Sequence, residues 1–225
     1  MLSIRKKTFI FAGPSIALIN NEILKYFEIR PPIQRNQLEN LLNEYSEPQR
    51  VVIIDGIYGS NLTNTPRECR WLLQEGWELI GCSSLGALRA SELWPVGMIG
   101  VGEVYNLFRL NILKSDADVA VAYDQNNNEL TISMVLIRKV IAILLEKNIL
   151  TQSIGRKLLK AAQLITWYER GTDIVIEEWA NLLNRSELHL VEKLLMDEKI
   201  NPKKTDALQI INMLTSRFWT NENIF

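Results

Sequence analysis

Short apolar runs alternate with segments of helical spacing through the first half of the chain. Val51–Ile54 is apolar on both faces, which is typical of a buried strand in a parallel sheet. Segments with the 3.6-residue spacing of helices lie between the runs. The alternation predicts an α/β fold: a mostly parallel sheet with helices on both faces, followed by a C-terminal helical region. The predicted strands are Thr8–Phe11, Val51–Ile54, Leu79–Ile80 and Val119–Ala122, and the first helices are Asn20–Phe27, Asn36–Tyr45 and Glu103–Phe108.

A capping motif marks the start of the helix between the second and third strands. Thr65-Pro66-Arg67-Glu68 supplies an N-cap threonine, a proline at the first helical position and a glutamate three residues after the cap. This helix is predicted to run to about Gln74 and to end at Gly76. Another helix is predicted after the third strand, from the Gly81–Gly86 segment to about Leu93.

From about Ile132 the pattern changes to long amphipathic segments. We therefore predict an α/β core over residues 1–128 and a helical C-terminal region over residues 129–225, packed on or beside that core. The predicted C-terminal helices are Met134–Glu146, Ile154–Tyr168, Ile174–Leu183, Glu187–Met196 and Thr205–Phe218.

Composition narrows the classes of protein that fit. The 225 residues are 47% hydrophobic with a net charge of −1, which allows one sizeable core and gives no indication of nucleic-acid binding. Cys69 and Cys82 form no CxxC pair, and His189 is the single histidine, so we predict neither a metal site nor a cofactor. The apolar run Phe9–Ala12 is too short for a signal peptide, and no run is long enough to span a membrane. We expect a soluble cytoplasmic protein.

Residues suited to binding or catalysis follow three of the predicted strands: Gly13-Pro14-Ser15, Asp55-Gly56 and Gly81–Gly86. Ser84 lies between a strand and a helix, where free backbone N–H groups and the helix dipole favour a developing oxyanion. A serine nucleophile on a tight turn has these requirements. However, Leu85 stands where the Gly-x-Ser-x-Gly pattern needs glycine, and a serine before a helix is more often an N-cap. Spacing alone therefore predicts an anion-binding pocket without a named reaction.

The other candidate site residues are assigned as bases, binding groups or oxyanion donors that assist Ser84. Asp55 and Asp118 are the candidate general bases, because His189 lies in a predicted C-terminal helix among apolar residues. Arg89 and Glu92 are three residues apart on the helix after Ser84 and can share a face. They either bind a carboxylate and orient Ser84 or form an ion pair that fixes the helix. Backbone groups at Gly13, Gly56 and Leu85 are the candidate binding and oxyanion positions.

Five blocks of the chain form an ordered set: Phe11–Ser15, Ile54–Gly56, Gly81–Leu93, Gly97–Gly102 and Asp116–Ala120. In order and spacing they resemble the successive blocks of the TfuA family. The resemblance covers Phe11–Asp124 and continues more weakly through Ile137-Arg138 and Tyr168–Arg170. The stretch around Ser84 also resembles the nucleophile turn of ClpP-type serine peptidases, with Ser84 at the nucleophile position.

The TfuA resemblance implies a partner and a reaction. TfuA proteins accompany YcaO enzymes in the biosynthesis of ribosomally made, modified peptides, in which YcaO uses ATP to activate a backbone amide oxygen and a sulfur nucleophile replaces it. The implied function is sulfur delivery for thioamidation by hydrolysis of a thiocarboxylated, ThiS-like carrier protein, with the precursor peptide as a third partner. Ser84 is then the nucleophile of a serine hydrolase.

Two other functions stay open at this point. One is a non-catalytic adaptor that docks the sulfur carrier or the precursor peptide onto YcaO, and the other is an anion-binding module unrelated to sulfur. Members of the family commonly carry histidine just before the capping-box glutamate and after the fourth strand, where this chain has Pro66 and Tyr123. That departure favours the adaptor, whereas the dense motif around Ser84 favours the hydrolase.

Overall fold

A computed structural model describes residues 6–59 and 62–222. In these ranges the chain forms one five-stranded, all-parallel sheet and ten α-helices, which confirms the predicted α/β fold. The strands are β1 (Thr8–Phe11), β2 (Glu28–Arg30), β3 (Arg50–Ile53), β4 (Glu78–Cys82) and β5 (Ile99–Val101). The helices are α1 (Asn21–Leu24), α2 (Gln37–Glu44), α3 (Pro66–Gln74), α4 (Leu85–Leu93), α5 (Glu103–Arg109), α6 (Met134–Glu146), α7 (Gln152–Leu164), α8 (Thr172–Trp179), α9 (Arg185–Leu195) and α10 (Pro202–Glu222).

The strand order is β2-β1-β3-β4-β5. The chain therefore winds in one direction from β1 to β2 and in the other from β3 onward, so the direction reverses between β1 and β3. Ligand crevices of open α/β sheets lie beyond the carboxyl ends of the strands at such a reversal. The register pairs Phe11 with Ile53 and Ile53 with Gly81, which brings the ends of β1, β3 and β4 to one edge.

Both faces of the sheet are covered, as the apolar runs predict. One face packs against α2, α3 and α4. The other packs against Ile19 and Phe27 and against the last helix, α10. The first face carries Phe9, Phe11, Val51, Ile53 and Leu79, and the second carries Ile10, Val52, Ile54, Ile80 and Cys82.

The capping motif of α3 forms as predicted. The Thr65 hydroxyl accepts a hydrogen bond from the Glu68 backbone N–H at 3.2 Å. The Glu68 carboxylate in turn accepts one from the Thr65 backbone N–H at 3.1 Å. A reciprocal pair of this kind satisfies two helix-end donors at once, so the start of α3 is determined locally.

The prediction of a strand at Val119–Ala122 is wrong. Asp116–Asp118 forms a 3-10 turn, and the apolar residues after it run on without strand pairing. Val119 is buried against apolar residues of α4, α5 and α6, and Ala120 and Val121 are buried as well. Burial of that kind selects apolar residues whatever the backbone does. The strand beside β4 is instead β5, a three-residue segment that contains Gly100.

The edge strand β2 was also missed, because three residues with two charges carry little strand signal. The predicted helix Asn20–Phe27 is accordingly wrong beyond Leu24, where α1 ends. The predicted helix Ile154–Tyr168 ends at Leu164.

All five predicted C-terminal helices are present within a few residues of their expected bounds. Helices α6 to α9 share a hydrophobic core of their own, whereas α10 packs on the sheet. The division at residues 128 and 129 stays a prediction, and its outer ends, residues 1–5 and 223–225, lie outside the described residues. Of the helices described, none is long and apolar enough to cross a membrane.

Candidate functional site

Asp55 ties the loop after β1 to the end of β3. One carboxylate oxygen accepts hydrogen bonds from the backbone N–H groups of Gly13 at 2.8 Å and Ser15 at 3.1 Å. The other accepts the Ser15 hydroxyl at 2.6 Å. Asp55 is 4% exposed and Ser15 is fully buried. The structure thus brings two of the three predicted strand ends together through one carboxylate.

The third strand end forms the turn that carries Ser84. Ser83 has a φ of +68°, a left-handed conformation that non-glycine residues seldom adopt. The backbone N–H groups of Ser84 and Gly86 both donate to the Ile54 carbonyl at 3.3 Å. These two bonds fasten the turn to the residue that follows β3, beside Asp55.

Two glycines allow α4 to lie directly on the sheet. A Cβ on Gly86 would lie 1.8 Å from the Ile53 carbonyl oxygen. A Cβ on Gly81 would lie 2.1 Å from the Gly86 carbonyl oxygen. Both obstacles are backbone atoms, so the close approach expected of the Gly81–Gly86 segment is a real constraint on this turn.

Ser84 occupies the N-cap position of α4. Within the described residues its hydroxyl makes no hydrogen bond to the first turn of that helix. It lies instead 2.7 Å from the hydroxyl of Tyr58. A serine whose hydroxyl only caps its helix would bond the backbone there, so the capping explanation does not account for Ser84.

Tyr58 is a site residue that sequence reasoning missed. Burial raises the pKa of the Tyr58 phenol far above its ordinary value; the hydrogen bond to Ser84 acts in the opposite direction, and the charge of Asp55 adds to the increase. The ring of Trp167, from the turn between α7 and α8, lies 6.2 Å from the Tyr58 ring, centroid to centroid. In the sequence, only the position of Tyr58 shortly after the Asp55-Gly56 strand end indicates that it belongs to the site.

Tyr123, which we predicted to stand at a family histidine position, lies in the same neighbourhood. Burial raises the pKa of its phenol, and the charge of Asp55 contributes. Its backbone forms an isolated bridge with Glu129 at the base of a hairpin over residues 122–130. The loop after the buried run Val119–Val121 therefore reaches the carboxyl edge of the sheet, although it contains no fourth strand.

The predicted oxyanion donors lie next to each other. A Cβ on Gly56 would lie 2.2 Å from the Leu85 side chain, so the two residues are in contact. In the part of the chain that the structure describes, neither backbone N–H donates to a backbone carbonyl. Leu85 is the first residue of α4, where N–H groups have no partner within the helix.

A large part of the chain matches a known protein family. The model of the family described as TfuA-like protein matches residues 55–171. This chain belongs to the TfuA-like family. The matched range includes Asp55, Tyr58, Ser84 and Trp167, and family membership suggests a YcaO-associated role in thioamidation. No curated protein matches the chain.

The remaining predicted residues have local partners. One Asp118 carboxylate oxygen accepts the backbone N–H groups of Lys114 at 2.9 Å and Ser115 at 3.2 Å. Arg89 pairs with Glu92 at 2.7 Å, and its other nitrogens donate to the Asn64 carbonyl at 3.0 and 3.1 Å. The Arg89–Glu92 geometry matches the ion pair expected to fix the helix. A direct role of Asp118, Arg89 or Glu92 in binding stays a prediction.

His189 is exposed on α9, within the helical bundle formed by α6 to α9. Among the described residues, no three His, Cys, Asp or Glu side chains are grouped so that they could hold a metal ion. The hydroxyl of Tyr58, rather than an imidazole, is the partner of Ser84.

Proposed function

We propose that this TfuA-like protein is the partner of a YcaO enzyme in peptide backbone thioamidation, and that it delivers sulfur by hydrolysing a thiocarboxylated, ubiquitin-like carrier protein through Ser84. The supporting observation is the position of the Ser84 hydroxyl. It lies at the N-terminus of α4, at the carboxyl edge of the sheet, and its partner is Tyr58 rather than the helix backbone.

The proposed reaction is acyl transfer to Ser84. The serine oxygen bonds to the thiocarboxylate carbon, the carbon–sulfur bond breaks, and the serine proton leaves with the sulfur as hydrosulfide. Water then hydrolyses the ester and yields the carrier's carboxylate and a proton. Hydrosulfide is a far better leaving group than an amine, so the step makes a small demand on a general base.

The backbone N–H groups of Gly56 and Leu85 are proposed to stabilise the oxyanion. The contact between Gly56 and the Leu85 side chain supports this assignment, because it places the two residues side by side at the edge of the sheet. The dipole of α4 adds positive potential at the same place. Loss of one such donor typically lowers the rate by about 100-fold.

Asp55 has a defined structural part in this proposal. Its carboxylate accepts three hydrogen bonds from the loop after β1, so its lone pairs hold that loop beside the Ser84 turn. Its negative charge acts on Tyr58 and Tyr123. A role of Asp55 or Asp118 as the base that takes the serine proton and relays it to the sulfur stays a prediction.

A non-catalytic adaptor is the second candidate. The observation that favours it is that both candidate bases already accept hydrogen bonds within the protein. Asp55 accepts one from Ser15, and Asp118 accepts one from Lys114. As an adaptor, the protein docks the carrier or the precursor peptide onto YcaO and leaves sulfur release to another component.

Sulfide release separates the two functions. Purified protein is incubated with thiocarboxylated carrier, and sulfide is followed for wild type, Ser84→Ala and Ser91→Ala. Ser91 is the matched control, because its hydroxyl bonds the Leu88 carbonyl on the same helix. We expect release by wild type and Ser91→Ala and near-complete loss in Ser84→Ala.

Two other results would contradict the hydrolase. Equal release by wild type and Ser84→Ala removes Ser84 from the mechanism. No release by wild type, together with wild-type-dependent thioamidation when YcaO and the carrier are both present, supports the adaptor.

A further inference from the structure

Tyr58 is held firmly against Ser84 by its own loop. The preceding residue, Ile57, donates its backbone N–H to the Ile33 carbonyl at 3.0 Å. The Ile57 carbonyl in turn accepts the Thr63 hydroxyl at 2.7 Å. These bonds fix the backbone beside Tyr58, and the two hydroxyl oxygens of Tyr58 and Ser84 meet at 2.7 Å, a normal hydrogen-bond length.

The ring of Tyr58 is fixed as well. It packs against the apolar cluster under α2 to α4 and against the cluster of α4 and α5. Trp167 contacts it from the C-terminal region. A side chain held from several sides keeps its hydroxyl in place at low entropic cost, which is what a reacting group needs.

The surroundings of Tyr58 keep its phenol protonated. Burial raises the pKa of the phenol, and the negative charges of Asp55 and Asp116 act in the same direction. Both influences favour the neutral phenol over the phenolate. The hydrogen bond of 2.7 Å gives this proton a direct path to Ser84 Oγ, and the raised pKa favours the return of a proton to the phenol oxygen afterwards.

We propose that Tyr58 is a catalytic residue that protonates Ser84 Oγ when the acyl-enzyme is hydrolysed. This inference rests on the proposed function, because it assigns a role within the same reaction. Water adds to the ester carbonyl and releases one of its protons to solvent, the bond between the carbonyl carbon and Oγ breaks, and Tyr58 passes its proton to Oγ. The newly formed carboxylic acid returns a proton to the phenol oxygen and leaves as the carboxylate. The step needs no further reactant.

A small activated ester tests this role independently of the carrier. The full-length protein is mixed with p-nitrophenyl acetate, and the initial burst of p-nitrophenolate reports acylation while the steady-state rate reports deacylation. Intact mass spectrometry identifies the acetyl adduct. We expect Tyr58→Phe to keep the burst, to lower the deacylation rate by about 100-fold or more, and to accumulate acetyl-Ser84.

Two controls accompany that variant. Ser84→Ala is expected to show neither burst nor adduct. Tyr45→Phe removes a phenol hydroxyl elsewhere, one that accepts a hydrogen bond from Lys7 at 3.0 Å, and is expected to match wild type. The retained burst of Tyr58→Phe also shows that this variant is folded.

The outcomes separate the two proposals. Equal deacylation in wild type and Tyr58→Phe overturns the role of Tyr58 and leaves Ser84 as the nucleophile. A smaller or slower burst with unchanged deacylation also overturns it, because Tyr58 would then act on the attack of Ser84. Absence of acetyl-Ser84 in wild type contradicts the nucleophile itself and, with it, the proposed hydrolase.

Discussion

At the scale of single residues, the Asp55 carboxylate organises the candidate site. It accepts three hydrogen bonds from Gly13 and Ser15 while it is nearly inaccessible to solvent. Buried donors that lose their acceptor cost more than the net value of the bond. The site therefore depends on this side chain even where Asp55 never touches a substrate.

Asp55→Asn replaces one acceptor oxygen with an NH₂ group that cannot accept the bonds. We expect the free energy of unfolding to fall by about 1–3 kcal/mol, measured by urea denaturation. Asp197→Asn is the control, since Asp197 accepts one exposed backbone N–H from Lys199 and asparagine caps equally well. A stability loss no larger than that of the control would show that the three bonds contribute nothing net.

Gly86→Ala tests the contact between α4 and β3. The new Cβ would lie 1.8 Å from the Ile53 carbonyl oxygen, so the helix must move away from the sheet. We expect a destabilisation of about 1–3 kcal/mol and slower reaction of Ser84 with p-nitrophenyl acetate. In the control Gly155→Ala, the new atom meets only side-chain carbons, the nearest at 3.2 Å, and stability should change by less than about 1 kcal/mol. Equal effects would contradict the close-packing argument.

At the scale of elements, α5 is capped by a residue of α10. The two oxygens of Asp206 accept the backbone N–H groups of Glu103 and Val104, both at 2.8 Å. Gly102 allows this approach, because a Cβ there would lie 2.2 Å from the Asp206 carboxyl carbon. The contact spans about half of the chain, so no local cap residue before α5 predicts it.

The pKa of Asp206 gives this cap a pH dependence. Burial raises it from 3.8 to about 6, against the opposing effect of the two backbone hydrogen bonds. Because this folded-state pKa lies above the unfolded-state value, the folded protein binds more protons between about pH 4 and 6. The contribution of Asp206 to stability therefore falls as the pH rises through that window.

Asp206→Asn removes that titration. The quantity to compare is the free energy of unfolding of wild type minus that of Asp206→Asn, measured by urea denaturation. We expect it to fall by about 2–3 kcal/mol from pH 4 to pH 7. A difference that grows with pH would show that the carboxylate, rather than the neutral acid, is favoured in the folded state.

The elements also show where sequence patterns are informative. Helix α3 is predicted from its capping box, and β3 from an apolar run, because the signals lie within the elements themselves. The edge strands β2 and β5 are three residues each, too short for a periodic pattern. They form because β1 and β4 offer them backbone partners, and that information is not local.

At the scale of the whole molecule, a buried ion pair joins the loop near the site to the last helix. Lys203, fully buried, lies 2.9 Å from Glu129, and Glu129 closes the hairpin that carries Tyr123. Burial opposes ionisation of Glu129, but Lys203 and Lys204 outweigh it and lower the pKa of that carboxyl. The position of the hairpin is thereby coupled to α10.

Lys203→Met leaves the Glu129 carboxylate without its closest cation. We expect a loss of about 3–5 kcal/mol in the free energy of unfolding, and partial recovery in the double variant with Glu129→Gln. The exposed pair of Lys139 and Glu103 is the control, and Lys139→Met should cost less than about 1 kcal/mol. Equal losses at the two pairs, measured by urea denaturation, would contradict the argument from burial.

The sequence by itself determined the elements whose signals are local: the buried strands β1, β3 and β4, the helices from α2 onward, and the Ser84 turn with its family assignment. Helix spacing, caps and apolar runs act within a few residues, so they can be read along the chain. Only the tertiary structure placed Tyr58 on Ser84, α10 on the sheet and Asp206 on α5. The hydrogen bond between Tyr58 and Ser84 joins residues 26 positions apart, and the one between Glu103 and Asp206 joins residues 103 positions apart. They depend on how the sheet orders its strands and which helix covers its second face, so packing of the whole chain decides them.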